Sequence, residues 1–214
     1  MSQERLLKQG IEHCHKREYE SAETKFRAAL DTYTENHVEI KFRLAFCLEM
    51  QEKLEASESL YLQVATADGP SSIVGDALYR IGWMAMNQKD HTKAISYYKE
   101  AATVLKDSPN AQHLYKECIY WLALSCEAVG QIIKALNIYE RIATDNVWFW
   151  DVAYRKIKCF DTLGRYKDAL ACCRKFKDNH RAAGDAVRAK ELYPSVDRIE
   201  RQLDELIRAD KRNL

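Results

Sequence analysis

One short pattern occurs five times along this chain, and it constrains the fold more strongly than any other feature of the sequence. Each occurrence has a bulky residue, an alanine-like residue three positions later and, in four of the five, an aromatic residue four positions after that. The occurrences are Tyr19, Ala22 and Phe26; Leu54, Ser57 and Tyr61; His91, Ala94 and Tyr98; Ile132, Ala135 and Tyr139; and Tyr166, Ala169 and Cys173. Their last members lie 35, 37, 41 and 34 residues apart, which indicates repeated structural units.

The offsets within each pattern predict α-helices, because positions three, four and seven residues apart share one face of a helix. Twelve residues before each alanine-like position lie Gly10, Ala45, Gly82, Ala123 and Ile157, of which all but the last are small. Each unit is therefore expected to be a pair of helices that approach closely at the small residues. Turn signals occur at Gly130 and Gly164 within units, and in ADGPSSIVG and KDSPNAQ between units.

These patterns, together with RIGWMAMNQKDHTKAISYYKEA in the third unit and LGRYKDAL in the fifth, resemble the tetratricopeptide repeat (TPR) family over roughly residues 4–176. The resemblance implies an all-α fold, a right-handed superhelix (α-solenoid) of about five helix pairs followed by C-terminal capping helices. The expected pairs are 3–36, 38–71, 75–108, 116–149 and 150–177, and the expected cap is 178–214. The chain departs from the family pattern at Ser57, Ile157 and Cys173, and the usual proline that closes each repeat is missing.

The C-terminal region has a different pattern. Residues 178–192 are compatible with one helix, and Pro194 followed by Ser195, a good N-cap, predicts the start of another. The apolar residues of that last helix form a single stripe, which consists of Val196, Ile199, Leu203, Leu206 and Ile207. Such a helix can cap the end of a solenoid or join two identical chains in a homodimer.

In TPR proteins the first helices of the pairs line the inner, concave surface that holds a partner's peptide. Two columns of this sequence correspond to that surface: Leu7, Phe42, Tyr79, Tyr120 and Tyr154, and, four residues later, Ile11, Phe46, Trp83, Leu124 and Lys158. The resemblance therefore predicts an aromatic-lined groove. Its expected partner contacts are Phe42, Phe46, Tyr79, Trp83, Tyr120, Leu124 and Tyr154. The alternative is that these side chains pack between adjacent first helices.

A third column is acidic in all five units and consists of Glu4, Glu39, Asp76, Glu117 and Asp151. Four of these acids have a basic residue four positions later, namely Lys8, Arg43, Arg80 and Arg155, so ion pairs within each helix are expected. Glu117 is the exception, because Trp121 occupies its partner position. Glu117 is therefore the acid expected to bind a basic residue of a ligand.

The run Val147, Trp148, Phe149 and Trp150 joins the fourth and fifth units. One interpretation is that Trp148 and Phe149 extend the aromatic groove and contact the partner, while Val147 and Trp150 pack internally. The other is that all four fill an irregular junction. TPR co-chaperones bind the C-terminal carboxylate of Hsp70 or Hsp90 with Lys and Asn at the places of the two groove columns where this chain has aromatic and aliphatic residues, so that role is not expected.

Composition narrows the remaining function classes. The formal net charge of +1 provides no field that would attract nucleic acid, and no apolar run approaches the length of a membrane span. Seven glycines and three prolines are too few for a turn-rich β fold. Seven cysteines without framework spacing, and an N-terminus without a signal-peptide core, favour the cytoplasm.

No nucleotide-binding or hydrolase motif occurs in the sequence, and the adjacent His13, Cys14 and His15 point in different directions on a helix, which does not suit a metal site. We therefore expect a protein without catalytic activity, metal or cofactor. Its expected function is that of an adaptor, scaffold or chaperone-like module that binds an apolar peptide or helix, with or without basic residues. The alternative is a self-assembling structural scaffold that uses its C-terminal helix.

Overall fold

The computed structural model describes residues 2–32, 37–142, 148–183 and 186–212. Within those ranges the regular structure is helical, with eleven α-helices and one short 3₁₀ turn, Pro109–Ala111. The α-helices are α1 Gln3–His15, α2 Tyr19–Thr32, α3 His37–Met50, α4 Leu54–Ala65, α5 Ser71–Asn87, α6 His91–Leu105, α7 Gln112–Ala128, α8 Ile132–Tyr139, α9 Phe149–Thr162, α10 Tyr166–Ala183 and α11 Val187–Arg212. The prediction of an all-α fold is confirmed.

The chain forms two compact units, Met1–Cys118 and Ile119–Leu214, and the division falls within the sequence of α7. In the first unit α1 packs on α2, α3 on α4 and α5 on α6, while α2 also contacts α3 and α4 contacts α5. In the second unit α9 packs on α8, α10 and α11, and α10 also packs on α11. From α1 to α6, and again from α8 to α11, consecutive helices are thus neighbours in space, as expected for helical repeats.

The small residues of the pattern are explained by the aromatic residues that pack against them. A Cβ atom added at Gly10 would lie 2.4 Å from Phe26 Cε1, and one added at Gly82 would lie 3.0 Å from Tyr98 Cδ1. In the second pair, where Ser57 replaces the usual alanine, the buried Ser57 hydroxyl donates a hydrogen bond of 2.8 Å to the Ala45 carbonyl oxygen. The serine is accommodated because its polar group is satisfied by the neighbouring helix.

The core of the first unit continues from one helix pair to the next because α3 contributes to two clusters. Leu44 and Cys47 pack with residues of α1 and α2, including the fully buried Phe26. Ala45, from the same helix, packs with α4 and α5 around Tyr61. One helix therefore buries apolar side chains on two sides, which joins neighbouring repeats into a single core.

The turn inside each pair contains one residue with a left-handed backbone, five positions before the alanine-like residue. Gly130 and Gly164 have φ angles of 77° and 67°, which confirms the predicted turn positions. The corresponding residues in the first three pairs are Arg17, Glu52 and Lys89, with φ angles of 61°, 61° and 63°. This conformation ends a helix by satisfying its last carbonyl groups, and glycine adopts it with the least strain.

The helix boundary predicted at Pro194 is wrong, because α11 runs through this residue. Pro194 cannot donate a backbone hydrogen bond to the preceding turn. Burial of apolar side chains along the helix offsets the loss of this hydrogen bond, since Ala189, Val196 and Leu203 recur every seven residues and are buried. α10 also extends beyond the predicted end of the fifth pair, to Ala183, and provides the surface on which α11 packs.

No helix in the described part of the chain is both long enough and apolar enough to cross a membrane.

Candidate partner-binding surfaces

The predicted contact residues of the first unit lie at matching positions on two first helices. α3 carries Phe42 and Phe46, and α5 carries Tyr79 and Trp83, so each pair is one helical turn apart. All four side chains are half-buried. Part of each residue is therefore accessible for contact, while the rest is held by the surrounding helices.

Phe42 and Phe46 form one side of a cavity of about 300 Å³ in the first unit. The other lining residues come from α1, the turn after it and the start of α2: Ile11, Cys14, His15, Arg17 and Tyr19, together with Arg43 of α3. Tyr19 meets Phe46 edge-on, with ring centroids 6.2 Å apart. The cavity thus combines aromatic and aliphatic walls with basic side chains.

Arg80 of α5 holds one wall of this cavity in place. Its guanidinium carbon lies 5.0 Å from the centre of the Phe46 ring, in a cation–π arrangement. Its nitrogens lie 3.5 Å from Glu49 Oε1 and 3.5 Å from Asp76 Oδ1. Burial raises the pKa of Asp76, and Arg80 opposes that effect by stabilising the carboxylate. Arg80 therefore links α3 to α5 beside the aromatic surface.

A tyrosine of the second helix completes this network. The Tyr61 hydroxyl donates a hydrogen bond of 2.8 Å to Glu49 Oε2, and the Tyr61 ring lies 5.6 Å from that of Phe42. Burial raises the pKa of Tyr61, and the nearby Glu49 carboxylate raises it further, so the hydroxyl remains a donor. Tyr61, held by Glu49, therefore packs against the Phe42 wall of the cavity.

The same three residue types meet in the second unit. Tyr139 donates a hydrogen bond of 3.0 Å to Glu127 Oε2, and Arg155 Nη1 lies 3.0 Å from Glu127 Oε1. Sequence reasoning missed this Tyr–Glu–Arg arrangement. The sequence nevertheless contained a signal. Each Glu lies four residues after the repeat position of Ala45 or Ala123 in its own first helix. Each Arg lies two residues before the same repeat position, Gly82 or Ile157, in the first helix of the next pair.

In the third helix pair, the tyrosine Tyr98 has no corresponding glutamate. Met86 occupies the position that corresponds to Glu49, and the buried Tyr98 hydroxyl has no hydrogen-bond partner among the described residues. The Tyr98 ring instead contacts Tyr79, with centroids 5.8 Å apart. One of the predicted contact residues, Tyr79, is thus in ring contact with the tyrosine of its own repeat.

The acidic column behaves as predicted in two of its members. Glu39 pairs with Arg43 at 2.7 Å, and Asp76 with Arg80 at 3.5 Å, each within one helix. Glu117 is half-buried and lies 4.0 Å from His113 Nε2. Its proposed contact with a basic ligand residue stays a prediction, although a neighbouring side chain already lies beside its carboxylate.

The ion pair predicted between Asp151 and Arg155 is replaced by contacts to other helices. Asp151 accepts hydrogen bonds from Arg188 of α11, with Nε at 3.0 and 3.1 Å from its two oxygens, and Arg155 pairs with Glu127. Both alternatives join residues that are far apart in sequence. Local spacing therefore gave the wrong partners, because the packing of α9 against its neighbours offered charged groups in better positions.

Tyr120 differs from the other predicted contact residues because its side chain is almost fully covered. It is 4% exposed and stacks on Trp148, with centroids 4.5 Å apart and planes 5° from parallel. Trp121 meets both rings edge-on. Of this cluster, Trp148 and Trp121 are half-buried and present the accessible surface, whereas Tyr120 presents little.

Trp148 and Phe149 are neighbours in sequence but belong to different environments. Phe149 lines a cavity of about 190 Å³ with residues of α8, α9 and α10, among them Val152 and Phe176. Trp150 packs edge-on against Phe176, with centroids 5.2 Å apart, which agrees with its predicted packing role. Val147, also predicted to pack, lies outside the described residues, and the remaining predicted contacts, Leu124 and Tyr154, are half-buried.

Metal coordination finds no support in the described ranges, which contain no group of three or more His, Cys, Asp or Glu side chains positioned to hold an ion. The charged side chains of the surfaces described above are engaged mainly in ion pairs between or within helices. These ion pairs connect helices that carry the aromatic residues, and so they restrain the surfaces that a partner would contact.

Two family models match the chain, each described as a tetratricopeptide repeat, over residues 7–73 and 76–110. Solved structures extend the similarity over most of the chain. YrrB, described as a TPR protein with an unusual peptide-binding site, superposes with a TM-score of 0.65 at 14% identity, over 87% of this chain and 89% of YrrB.

Two further structures are similar to a comparable degree. Pseudomonas aeruginosa pilF has a TM-score of 0.64 at 15% identity, over 94% of this chain and 86% of its own. MamA AMB-1 has a TM-score of 0.63 at 15% identity, over 89% of this chain and 97% of its own. At these identities the structures show a shared fold. The family matches identify residues 7–73 and 76–110 as tetratricopeptide repeats, and the solved structures show that most of the chain shares the fold of such repeats.

Proposed function

We propose that this protein is a non-enzymatic interaction module, an adaptor, scaffold or chaperone-like protein that binds an apolar peptide or helix of a partner through the aromatic residues of its first helices. TPR proteins are generally protein–protein interaction modules. The observation that carries the proposal is the cavity beside Phe42 and Phe46, which is already formed and is large enough for an apolar side chain.

The chemistry of this cavity supports an apolar anchor residue. Ile11, Tyr19, Phe42 and Phe46 provide walls that a partner's aliphatic or aromatic side chain can cover, and burial of such an anchor typically dominates the binding energy. Arg80 restrains Phe46 before any ligand is present, so little ordering is required on binding. Tyr79 and Trp83 of α5 provide further contact area for the same segment.

The other predicted contacts extend this proposal to the remaining repeats. Leu124, Tyr154 and Trp148 are proposed to bind apolar groups, Phe149 to contact the ligand through its own cavity, and Glu117 to bind a basic residue of the partner. Tyr120 is proposed to act through Trp148, on which it stacks.

A carboxylate terminus of the Hsp70 or Hsp90 type, nucleic acid and membrane insertion are not proposed. Seven free cysteines favour a cytoplasmic location.

The proposal is tested by affinity capture from native lysate with wild type and with a Phe42→Ala/Trp83→Ala variant, followed by titration of each retained protein in purified form. The matched control is Ile133→Ala/Val187→Ala, which truncates two exposed apolar residues elsewhere. Thermal unfolding of each variant establishes that it is folded. We expect the partner to be lost from the aromatic variant alone. Equal retention by all three proteins would contradict a role for this surface.

A second candidate function, self-assembly, is favoured by one observation. Leu206 of α11 is 49% exposed and lines an open groove with Ile199 and Leu203. In a self-assembling scaffold, identical chains would bury this groove against one another. Sedimentation velocity of wild type and of Leu206→Glu tests it: a dimer that dissociates in the variant supports assembly, whereas a monomer at the highest soluble concentration excludes it.

A further inference from the structure

Two cysteines from neighbouring repeats meet where one of them lines the cavity beside Phe42. Cys14 lies on α1 and Cys47 on α3, 33 residues apart in sequence, and their Sγ atoms are 3.3 Å apart. This is closer than two sulfur atoms in ordinary van der Waals contact. Both thiols are free. Two sulfurs held this close are positioned to react with each other rather than only to pack.

The two thiols differ in their access to solvent. Cys14 is half-buried and lines the cavity, whereas Cys47 is fully buried in the core between α1, α2 and α3. Burial raises the pKa of Cys47, and its contact with Cys14 raises it further. Cys14 is therefore the thiol that a small solute entering the cavity can reach, and Cys47 lies directly behind it.

We propose that Cys14 and Cys47 form a peroxide-oxidisable site, at which hydrogen peroxide converts the two thiols into a disulfide that fastens the first repeat to the second. Cys14 lines the cavity of the proposed partner-binding function, but oxidation of the two thiols does not depend on that function. A disulfide needs sulfurs about 2.05 Å apart, so side-chain adjustment of little more than an ångström closes the bond from the observed arrangement.

The reaction has two balanced steps. The Cys14 thiolate attacks one oxygen of hydrogen peroxide, the O–O bond breaks, and the departing hydroxide takes up the proton that Cys14 released, which leaves a sulfenic acid and one water. The Cys47 sulfur then attacks the Cys14 sulfur, the S–O bond breaks, and the hydroxyl group leaves with the Cys47 proton as a second water. The two thiols lose two electrons, and peroxide gains them.

The position of the bond predicts its effect on the fold. It would connect α1 to α3 and enclose α2 in a covalent loop, in the part of the core where Phe26 and Leu44 pack. A cross-link of this kind stabilises chiefly by restricting the unfolded chain. The oxidised protein should therefore unfold at a higher temperature than the reduced protein, and a thiol reductant should reverse the change.

The experiment uses the full chain, treated with a small molar excess of hydrogen peroxide, quenched with catalase, unfolded and alkylated. We expect five alkylated thiols instead of seven, because two of the seven cysteines are consumed, and a tryptic cross-link between the peptides that contain Cys14 and Cys47. Seven alkylated thiols, or oxidation confined to other cysteines, would overturn the proposal.

Three variants make the assignment specific. In Cys47→Ser the sulfenic acid on Cys14 cannot be resolved, so dimedone should label Cys14 strongly in this variant and weakly in wild type. In Cys14→Ser the cross-link and the rise in unfolding temperature should both be absent. Cys172→Ser is the matched control, because Cys172 is also half-buried beside a cavity, and this variant should form the disulfide as wild type does. Equal labelling of Cys14 in wild type and Cys47→Ser would show that Cys47 does not resolve it.

Discussion

At the scale of single residues, matching turn positions of the repeat have the same left-handed backbone but carry different residue types. Lys89 and Gly130 occupy the same place in their respective turns and both have a left-handed backbone. Side-chain contact does not explain the choice of residue, because a Cβ atom at Gly130 would have no neighbour within 4 Å. The difference between the two positions is therefore conformational strain, which a non-glycine residue must bear.

We expect Lys89→Gly to increase the free energy of unfolding by about 0.5–1 kcal/mol, because relief of left-handed strain exceeds the added freedom of the unfolded chain. Gly130→Ala, the opposite change at the matched position, should lower it by about 1 kcal/mol. Urea unfolding monitored by circular dichroism measures both. A stabilising effect of Gly130→Ala would show that strain at this turn is not the controlling factor.

Glycine is required at position 10 for a different reason than at position 130. A larger side chain has no room at position 10, whereas position 130 has a left-handed backbone. A methyl group at this position would meet Phe26 Cε1 at 2.4 Å, in a core that cannot move freely. We expect Gly10→Ala to lower the free energy of unfolding by about 1–3 kcal/mol through overpacking. The double variant with Phe26→Leu provides the check, since a smaller side chain opposite should recover part of the loss.

At the scale of helices, charged residues connect pairs that the apolar pattern places side by side. Burial works against the charged form of Glu23 on α2, but hydrogen bonds from Lys53, Arg27 and Gln51 outweigh it and lower the pKa of Glu23 to about 2. The stabilisation is present above the unfolded-state pKa of Glu23 and is lost as the pH falls towards 2.

Glu23→Gln should therefore lower the free energy of unfolding by about 1–2 kcal/mol at pH 7, with the difference from wild type shrinking between about pH 5 and 2. Chemical denaturation at several pH values measures this difference. Glu20→Gln, in the same helix, is the control for a general charge effect, because the Glu20 side chain is exposed. A difference between wild type and Glu23→Gln that does not change with pH would contradict the linkage.

α11 provides a second test at this scale, because its apolar stripe is only partly buried. Leu203 is 1% exposed and Leu206 is 49% exposed, although the two lie three residues apart on the same helix. Leu203→Ala should lower the free energy of unfolding by about 2–4 kcal/mol through loss of buried surface and formation of a cavity. Leu206→Ala should change it by less than about 0.5 kcal/mol in the monomer.

At the scale of the whole molecule, the near balance of 33 basic and 32 acidic residues leaves little long-range field. Partner binding through aromatic surfaces should then depend weakly on ionic strength, because exposed charges are screened by salt whereas apolar contacts are not. We expect a captured partner to remain bound when salt is raised from about 0.1 to 0.5 M. Complete elution over this range would indicate that charged residues, such as Glu117, dominate recognition.

Much of the architecture could be predicted because its cause is local. The spacing of Gly10, Ala22 and Phe26 predicts two helices that touch, and the structure places the Phe26 ring directly against Gly10. The buried positions of the α11 stripe were also predicted, at Val196, Ile199 and Leu203. A helix shows its buried face through a period of 3.6 residues, which any short window of sequence contains.

The details of the candidate surfaces were less predictable because they depend on residues from different helices. Phe42 and Tyr120 occupy the same column of the repeat, yet Phe42 lines a cavity and Tyr120 is covered by Trp148. Asp151 pairs with Arg188 instead of the nearby Arg155. No periodicity encodes these partners, since each is chosen by the positions of side chains that are distant in sequence.

The sequence by itself thus determined the helical repeats, their turns and the residues that face the core, because helix formation and amphipathic burial follow from spacing along the chain. Only the tertiary structure decided which aromatic rings remain accessible, that α11 continues through Pro194, and that Cys14 meets Cys47. The physical reason is that exposure, helix continuity and side-chain pairing are settled by packing between helices, where contacts from several elements together outweigh a local preference.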